Sequence, residues 1–494
     1  MEEQEKQQNN IGGLQIIGRI DLNQWVHNRI QPVKSSSCFK MLQMKLSFFG
    51  REALTIDFGD VDNEDHRYFS LFIGMNGVGK STFLREIIDF FIDSQYGKSR
   101  RTDSQQVKIL SLRYAMGGHE YEIVRNEKNK FYFTKDYVSV GKPEYPLIIA
   151  STMGMFDKFP INSTNPLRRK SRYDVPFYKY VGPKANNNMY ASKTNVMLQM
   201  LAVLENVKRK AQLQKIGDIL EYIGYDPVIK LNYSVKENYL EVLKSKDKYI
   251  DVAARSYLLD IGQQQMLTAH INPKTDTLKH IGNLHLREIN QLRQEGLLTC
   301  KCTLSRDGKE IDCNLVSSGE FNMLSIIMSV VLSAGNQYLL VLLDEPEISQ
   351  HPNWQISIID KLDEALSDYA CHFMVASHCH FLVSNLPQKR SNVFDIEYNE
   401  DNGIEIHSIG SETYGWSAEQ VLLEVFKVGT DRNKYLAGII GDLMERIGNR
   451  EILPAEVAEK LTFLQKVATN LSDIDPMKRV IYTILESFAA DEAK

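Results

Sequence analysis

The sequence predicts an α/β protein built on a mixed sheet, with a helical insertion and a helical C-terminal appendage. Three observations predict it. A short apolar run, YFSLFIG, leads through a glycine-rich turn into STFLREIIDFFID, whose apolar residues recur at helical spacing, so strand, loop and helix are contiguous. A second run, YLLVLLDEP, is apolar until it ends in two acids, the pattern of a central parallel strand buried on both faces. A third, CHFMVAS, follows a helical stretch at residues 353–368 and completes a second αβ unit.

Each element follows from its local pattern. The opening residues, MEEQEKQQNN, are polar and acidic and read as a loose tail and lead-in over 1–40, resembling neither a signal peptide nor an Arg-rich transit peptide. Over 41–58, MLQMKLSFFGREALTIDF alternates and turns at a glycine, which predicts a β-hairpin entering a sheet. Beyond the glycine-rich turn and its helix, residues 107–150 are strand-rich, with VKILSLRYA, YEIVR, KFYFT and PLIIAST separated by charged or glycine-containing turns. Polar, proline-bearing residues 157–195 read as loop and close a first lobe over 41–195. An insertion over 196–295 is mainly helical in period, interrupted near Pro227 by a short strand-like segment, and lacks the sustained heptads of a coiled-coil arm. A second lobe over 296–410 opens with a hairpin pattern, continues into SSGEFNMLSIIMSVVLSAG and holds the acidic and histidine-bearing strands. Residues 411–494 read as a helical appendage, with Pro454 and Pro476 as breaks.

With 494 residues, 43% hydrophobic and 24% charged, the composition is that of a soluble globular protein. No apolar run approaches the ~20 residues that span a bilayer, so the expectation is a cytoplasmic protein with no membrane partner. A net charge of −5 argues against non-specific coating of DNA. Short basic runs still leave local phosphate contacts open: Lys98, Arg100 and Arg101; Arg168, Arg169, Lys170 and Arg172; Lys208, Arg209 and Lys210. The cysteines, Cys38, Cys300, Cys302, Cys313, Cys371 and Cys379, form no CxxC pair and no zinc spacing, and read as reduced, mostly buried thiols.

The glycine-rich turn, GMNGVGKST from Gly74 to Thr82, fits the P-loop pattern GxxxxGK[ST] between a strand and a helix. The backbone of Asn76, Gly77, Val78 and Gly79 is expected to curl around the phosphates of ATP, with Thr82 at the end of the loop. Lys80 is expected to reach the β and γ phosphates, and Ser81 to place its hydroxyl on Mg²⁺. Asp344 and Glu345 emerge at the carboxyl edge of the sheet, where open α/β folds bind ligands. Alone they would read as a solvated turn; beside a P-loop, Asp344 is a Mg²⁺ ligand and Glu345 the group that polarises the attacking water. His378 ends its own apolar strand and is expected to contact the γ-phosphate or hold that water, with His380 as the competing choice. Ser317, Ser318, Gly319 and Glu320 open a helix whose hydroxyls, glycine amide and terminus make a second anion site. One phosphate tail does not need two helix-end cradles from the same sheet, so this one is read as serving the ATP of an opposite subunit, as an arginine finger does. The alternative is a plain N-cap with a serine and a nearby glutamate.

The order P-loop, SSGE helix, LLDEPE strand and ASH resembles the ABC-type ATPases related to RecF, SMC and OLD proteins, over roughly residues 40–400. That resemblance implies an ABC-type P-loop ATPase head, ATP and Mg²⁺ as ligands, and a head-to-tail dimer that closes around ATP. Two departures stand out. The family signature is LSGGQ, whereas Val316, Ser317, Ser318, Gly319 and Glu320 stand here; and no glutamine lies between Gln106 and Gln199 to serve as a Q-loop, so another residue near 151–157 takes that part or the coupling is weak. Both predict slow hydrolysis, with ATP more a switch than a fuel. LIIASTMGMFDKFP, YKYVGPK, DEPEISQHPNWQ and GWSAEQVLLEVFKVGTDRN extend the likeness to the PtuA family, ATPase subunits of Septu-type anti-phage defence also found beside some retrons. This resemblance implies an HNH nuclease partner of the PtuB kind, residues 411–494 as the region that binds it, nucleic acid reached through the complex, and ATPase dimers stacked into a higher oligomer. No nuclease constellation is visible in the chain itself. Trp416, Leu422, Leu423, Val425 and Phe426 are the anchors expected to meet the nuclease, unless they pack on their own ATPase domain. Competing functions are a DNA-repair or recombination ATPase that clamps DNA directly, and an ATP-dependent scaffold with little turnover.

Overall fold

The computed structural model describes residues 38–48, 51–61, 66–75, 77–97, 107–152, 154, 157–162, 171–186, 189–201, 210–241, 258, 266–273, 277–279, 289, 292–293, 295–334, 338–399, 403–410, 413, 415–424, 434–448, 454–470 and 476–492. It opens with the hairpin that the alternation predicts, β1 (Phe39–Phe48) against β2 (Leu54–Asp57). Next come β3 (Arg67–Ile73), α1 (Lys80–Tyr96), β4 (Val107–Met116), β5 (His119–Arg125), β6 (Phe131–Lys135), β7 (Val138–Ser139), β8 (Leu147–Thr152) and β9 (Tyr178–Tyr180). A small hairpin, β10 (Lys184–Asn186) and β11 (Met189–Tyr190), leads to α2 (Lys193–Leu201) and α3 (Lys210–Tyr222). Five strands follow: β12 (Asp226–Val235), β13 (Met266–Asn272), β14 (Thr277–Lys279), β15 (Leu298–Arg306) and β16 (Lys309–Asp312). The second lobe then adds α4 (Ser318–Ser333), β17 (Leu339–Asp344), α5 (Pro352–Ala365), β18 (Cys371–Ala376), α6 (His380–Ser384), β19 (Ser391–Asn399) and β20 (Gly403–Gly410). The C-terminal region holds α7 (Ala418–Glu424), α8 (Lys434–Gly448), α9 (Pro454–Asn470) and α10 (Pro476–Glu492).

The central sheet has seven strands in the order β20-β19-β3-β18-β17-β8-β9, parallel except for the β19–β20 hairpin at one edge. Strands β8, β17 and β18 are buried along their whole length, as their unbroken apolar runs predict. Alternate residues enter two separate cores. Leu339, Val341 and Leu343 face one that includes α4 and α5; Leu340 and Leu342 face the other, which holds α1 and the six-stranded antiparallel sheet β2-β1-β4-β5-β6-β7. His372 of β18 fastens that second layer: its Nδ1 accepts from the Met41 amide (3.0 Å) and its Nε2 lies 2.9 Å from Ser70 Oγ. Full burial pushes its pKa well below the ordinary histidine value, so it acts as a neutral bridge rather than a cation.

The described residues of 196–295 hold strands as well as the expected helices. Helices α2 and α3 lie there, but β12, β13 and β14 do too, in a five-stranded antiparallel sheet ordered β14-β13-β12-β15-β16. The strand-like segment at Pro227 is the start of the central strand of that sheet, with Ile229, Leu231 and Tyr233 buried in period two. In the C-terminal region Pro454 and Pro476 are the first residues of their helices, where a missing N–H costs nothing. Leu423, Leu436, Ile440, Leu443, Leu464, Val467 and Ile481 make a small core of their own there. Leu423 is thus interior, and Trp416, half-buried, packs on the core that holds α4 and α5, as the alternative reading of these anchors expects; Leu422 is half-buried, and Val425 and Phe426 lie outside the described residues. Of the basic runs, Arg172 is paired with Asp93, while Lys98, Arg100, Arg101, Arg168, Arg169, Lys170, Lys208 and Arg209 lie outside the described residues. Five cysteines are buried and Cys300 is half-buried. Among the described residues no helix is long and apolar enough to cross a membrane.

Candidate functional site at the carboxyl edge of the parallel sheet

Parallel strands align their carboxyl ends, and here those ends collect the predicted residues. The loop after β3 carries Gly74 to Gly79, β17 ends at Asp344, and Ser377 and His378 follow β18. The loop needs its first glycine: Gly74 has φ +148°, and a Cβ there would stand 2.3 Å from the Ile396 carbonyl oxygen. Gly79, at φ +100°, is the N-cap of α1, with no side-chain cap and no acidic residue in the first turn. The amides at this helix end are therefore left for a ligand. Asn76 lies outside the described residues; Gly77 and Val78 continue the loop.

Lys80 is buried and donates to the carbonyls of Gly74 (2.7 Å) and Met75 (3.1 Å). Burial lowers its pKa to about 8, opposed by the carboxylates of Glu345 and Asp344. Ser81 Oγ donates to Asp344 Oδ1 at 3.0 Å. That separation fits a Mg²⁺ site, because adjacent ligands on an octahedron with ~2.1 Å bonds stand about 3 Å apart and both donors are hard oxygens. Burial also raises Asp344 to about 7, with the Ser81 hydrogen bond opposing it and the neighbouring Glu345 carboxylate adding to it.

Glu345 occupies the left-handed region at φ +50°, strain of order 1–3 kcal/mol for a non-glycine residue and a recurrent feature of functional sites. The turn brings its Oε1 to 2.8 Å from His378 Nε2, and this hydrogen bond holds the Glu345 carboxyl below the usual range despite partial burial. His378 Nδ1 in turn lies 3.1 Å from Lys80 Nζ and 2.9 Å from the Gly74 carbonyl. His380 begins α6 beside Phe381 (ring centroids 4.1 Å), so the histidine at this edge is His378.

One residue without a role in the sequence motifs supports the set. Glu347, buried, accepts from Ser377 Oγ and from the His378 amide (3.1 Å), fixing the backbone from which His378 projects. Its position in LLDEPE was visible, but its inward direction depends on the left-handed turn at Glu345.

The second predicted cradle lies elsewhere on the same lobe. Ser317 and Ser318 are exposed at the start of α4, and Ser317 and Glu320 form a capping box: Ser317 Oγ accepts from the Glu320 amide and Glu320 Oε2 from the Ser317 amide. Glu320 also accepts from Arg306 (2.6 Å) and Tyr225 (3.0 Å), so its side chain is committed inside the chain. Gly319 is required by a close approach, since a Cβ would meet the Ser349 carbonyl oxygen at 2.5 Å.

Comparisons with known proteins bear on this edge. Residues 186–383 match the family described as "AAA ATPase domain", a stretch that holds the α4 start, the acidic strand and His378. No curated protein matches the chain. Among solved structures, an SMC head domain from Thermotoga maritima aligns at 8% identity over 75% of this chain and 99% of its own, with a TM-score of 0.36. An Smc head domain from Pyrococcus furiosus, solved with an extended coiled coil and bound to the C-terminal domain of ScpA, aligns at 10% over 75% and 96%, TM-score 0.32. The recombination mediator protein RecF aligns at 12% over 76% and 100%, TM-score 0.32. These superpositions are loose, and the fold rests on the strand order itself: an α/β protein whose P-loop follows a strand of a mainly parallel seven-stranded sheet, with an ATPase domain matched over residues 186–383.

Proposed function

We propose that this chain binds ATP with Mg²⁺ at the P-loop edge, hydrolyses it slowly, and completes the site with the Ser317–Glu320 helix start of a second copy. The observation that carries the reading is the chain of contacts Ser81–Asp344, Glu345–His378 and His378–Lys80 at one sheet edge. In this reading Lys80 and the amides of Gly77 to Gly79 hold the phosphates, and Ser81 and Asp344 hold the cation. The cation supplies charge neutralisation on the phosphate oxygens. Glu345, kept ionised by His378, accepts a proton from the attacking water, and His378 orients that carboxylate from the other side.

At the level of biology, we infer a cytoplasmic regulatory ATPase of an anti-phage complex, whose paired heads control an associated HNH nuclease acting on nucleic acid. The segments at 147–160, 178–184, 344–355 and 415–433 support this finer reading by their resemblance to PtuA. Glu345→Gln is expected to lower steady-state phosphate release by roughly 10²-fold or more while ATP binding persists. If wild type and variant both release no phosphate above background, the base assignment fails. Co-purification with a small HNH protein is the matching test of the partner; salt-sensitive DNA binding by the chain alone would favour a DNA-clamping ATPase instead.

A further inference from the structure

The segment after β8 carries a cation that the P-loop pattern does not include. Asp157 is buried, accepts from the Phe159 amide (2.7 Å) and from Tyr180 Oη, while Lys184 Nζ donates to its carbonyl (2.6 Å). Phe159 is buried too, and the Pro160 carbonyl accepts from Tyr178 Oη. The backbone is thus clamped to β9 on both sides of Lys158, which is itself exposed. Its ammonium reaches across to Thr82 Oγ1 at 2.8 Å, in the first turn of α1. Thr82 is its only polar partner among the described residues. A full positive charge resting on a neutral hydroxyl, at a helix start that holds no acidic side chain, is suited to an anion.

We propose that Lys158 is a second phosphate-binding cation of the site and the physical link between nucleotide and the β8–β9 segment, where no glutamine stands. This rests on the ATP reading above. Lys80 lies on the Gly74, Met75 and His378 side of the loop, and Lys158 on the Thr82 side, beyond Ser81. Lys158 therefore grips the part of the phosphate tail nearer the ribose, which ATP and ADP share. Because Asp157 and Tyr180 hold the same turn, occupancy at Lys158 bears directly on how β9 is seated.

The test is equilibrium dialysis of ATP and of ADP against the full chain, with Lys158→Ala, Lys158→Arg and Lys80→Ala beside wild type. Lys158→Ala is expected to weaken both nucleotides about tenfold, the size of one hydrogen bond to a charged group. Lys158→Arg should recover most of the loss, with thermal melting in the absence of nucleotide unchanged. Affinities within about twofold of wild type for both nucleotides, while Lys80→Ala loses binding, overturn the proposal. A loss confined to ATP overturns the assignment to the shared end of the tail. If wild type binds neither nucleotide, or Lys80→Ala binds as well as wild type, the P-loop reading itself fails and takes this one with it.

Discussion

At the start of α1 the N-cap is a glycine, no side chain closes over the amides, and a lysine stands inside the turn. At the start of α4 Ser317 and Glu320 satisfy one another, and a carboxylate sits in the first turn with Arg306 against it. Both helix ends carry the same partial positive charge. They differ in what the chain has already done with it: α1 leaves its donors for a strong polyanion, while α4 occupies part of its own. On the proposed reading the first site supplies affinity and the second conditional closure, called on when another copy brings it up to a phosphate.

The largest expected effect separates the two ends outright. Lys80→Ala should weaken ATP binding by on the order of a hundredfold, whereas Ser317→Arg should leave each chain's own ATP affinity within about twofold and block ATP-driven pairing, read by sedimentation. The comparison breaks if Ser317→Arg also destroys binding to its own P-loop.

A pH series sharpens it. Below about 7 Asp344 takes up a proton and loses the charge a cation needs; above about 8 Lys80 gives one up and loses the charge a phosphate needs. Affinity for Mg²⁺-ATP should therefore peak between these values and fall about tenfold by pH 6. Burial pushes Glu320 upward, but Arg306, Ser317 and Tyr225 outweigh it and hold the carboxyl below its usual range, so the second helix start should not titrate across that window. The smallest effect expected is from Arg306→Ala. It uncovers the Glu320 charge and should weaken pairing only a few-fold, with ATP binding to the separate chain unchanged.

The parts of this molecule that the sequence makes legible are those whose side chains face a core on both sides. LLVLLD and CHFMVA can hardly be anything but interior parallel strands, and an acid or histidine at their ends must surface at one edge. β13 is harder, because MLTAHIN acquires its strand character from pairing with β12, about thirty residues away, and its own period is ambiguous. Glu347 and Lys158 were silent for a similar reason. A third acid after a strand and a lone lysine in a loop take direction only from the turn at Glu345 and the clamp at Asp157. Around Trp416 the sequence leaves two destinations open, and only packing decides between them: Trp416 rests on the main core and Leu423 enters the small C-terminal one.

The alternation of β17 between two cores fixes more than packing. Counted along the strand, Asp344 shares parity with Leu340 and Leu342, whose side holds α1, and that is why its carboxylate meets Ser81. Glu345, the next residue, belongs by count to the opposite side, and the left-handed twist of its backbone retrieves it. One residue added inside the strand would exchange these destinations, sending the Asp344 carboxylate toward α4 and leaving Ser81 facing a hydrocarbon. A stretch of six residues thus keeps the ledger of left and right for the whole site.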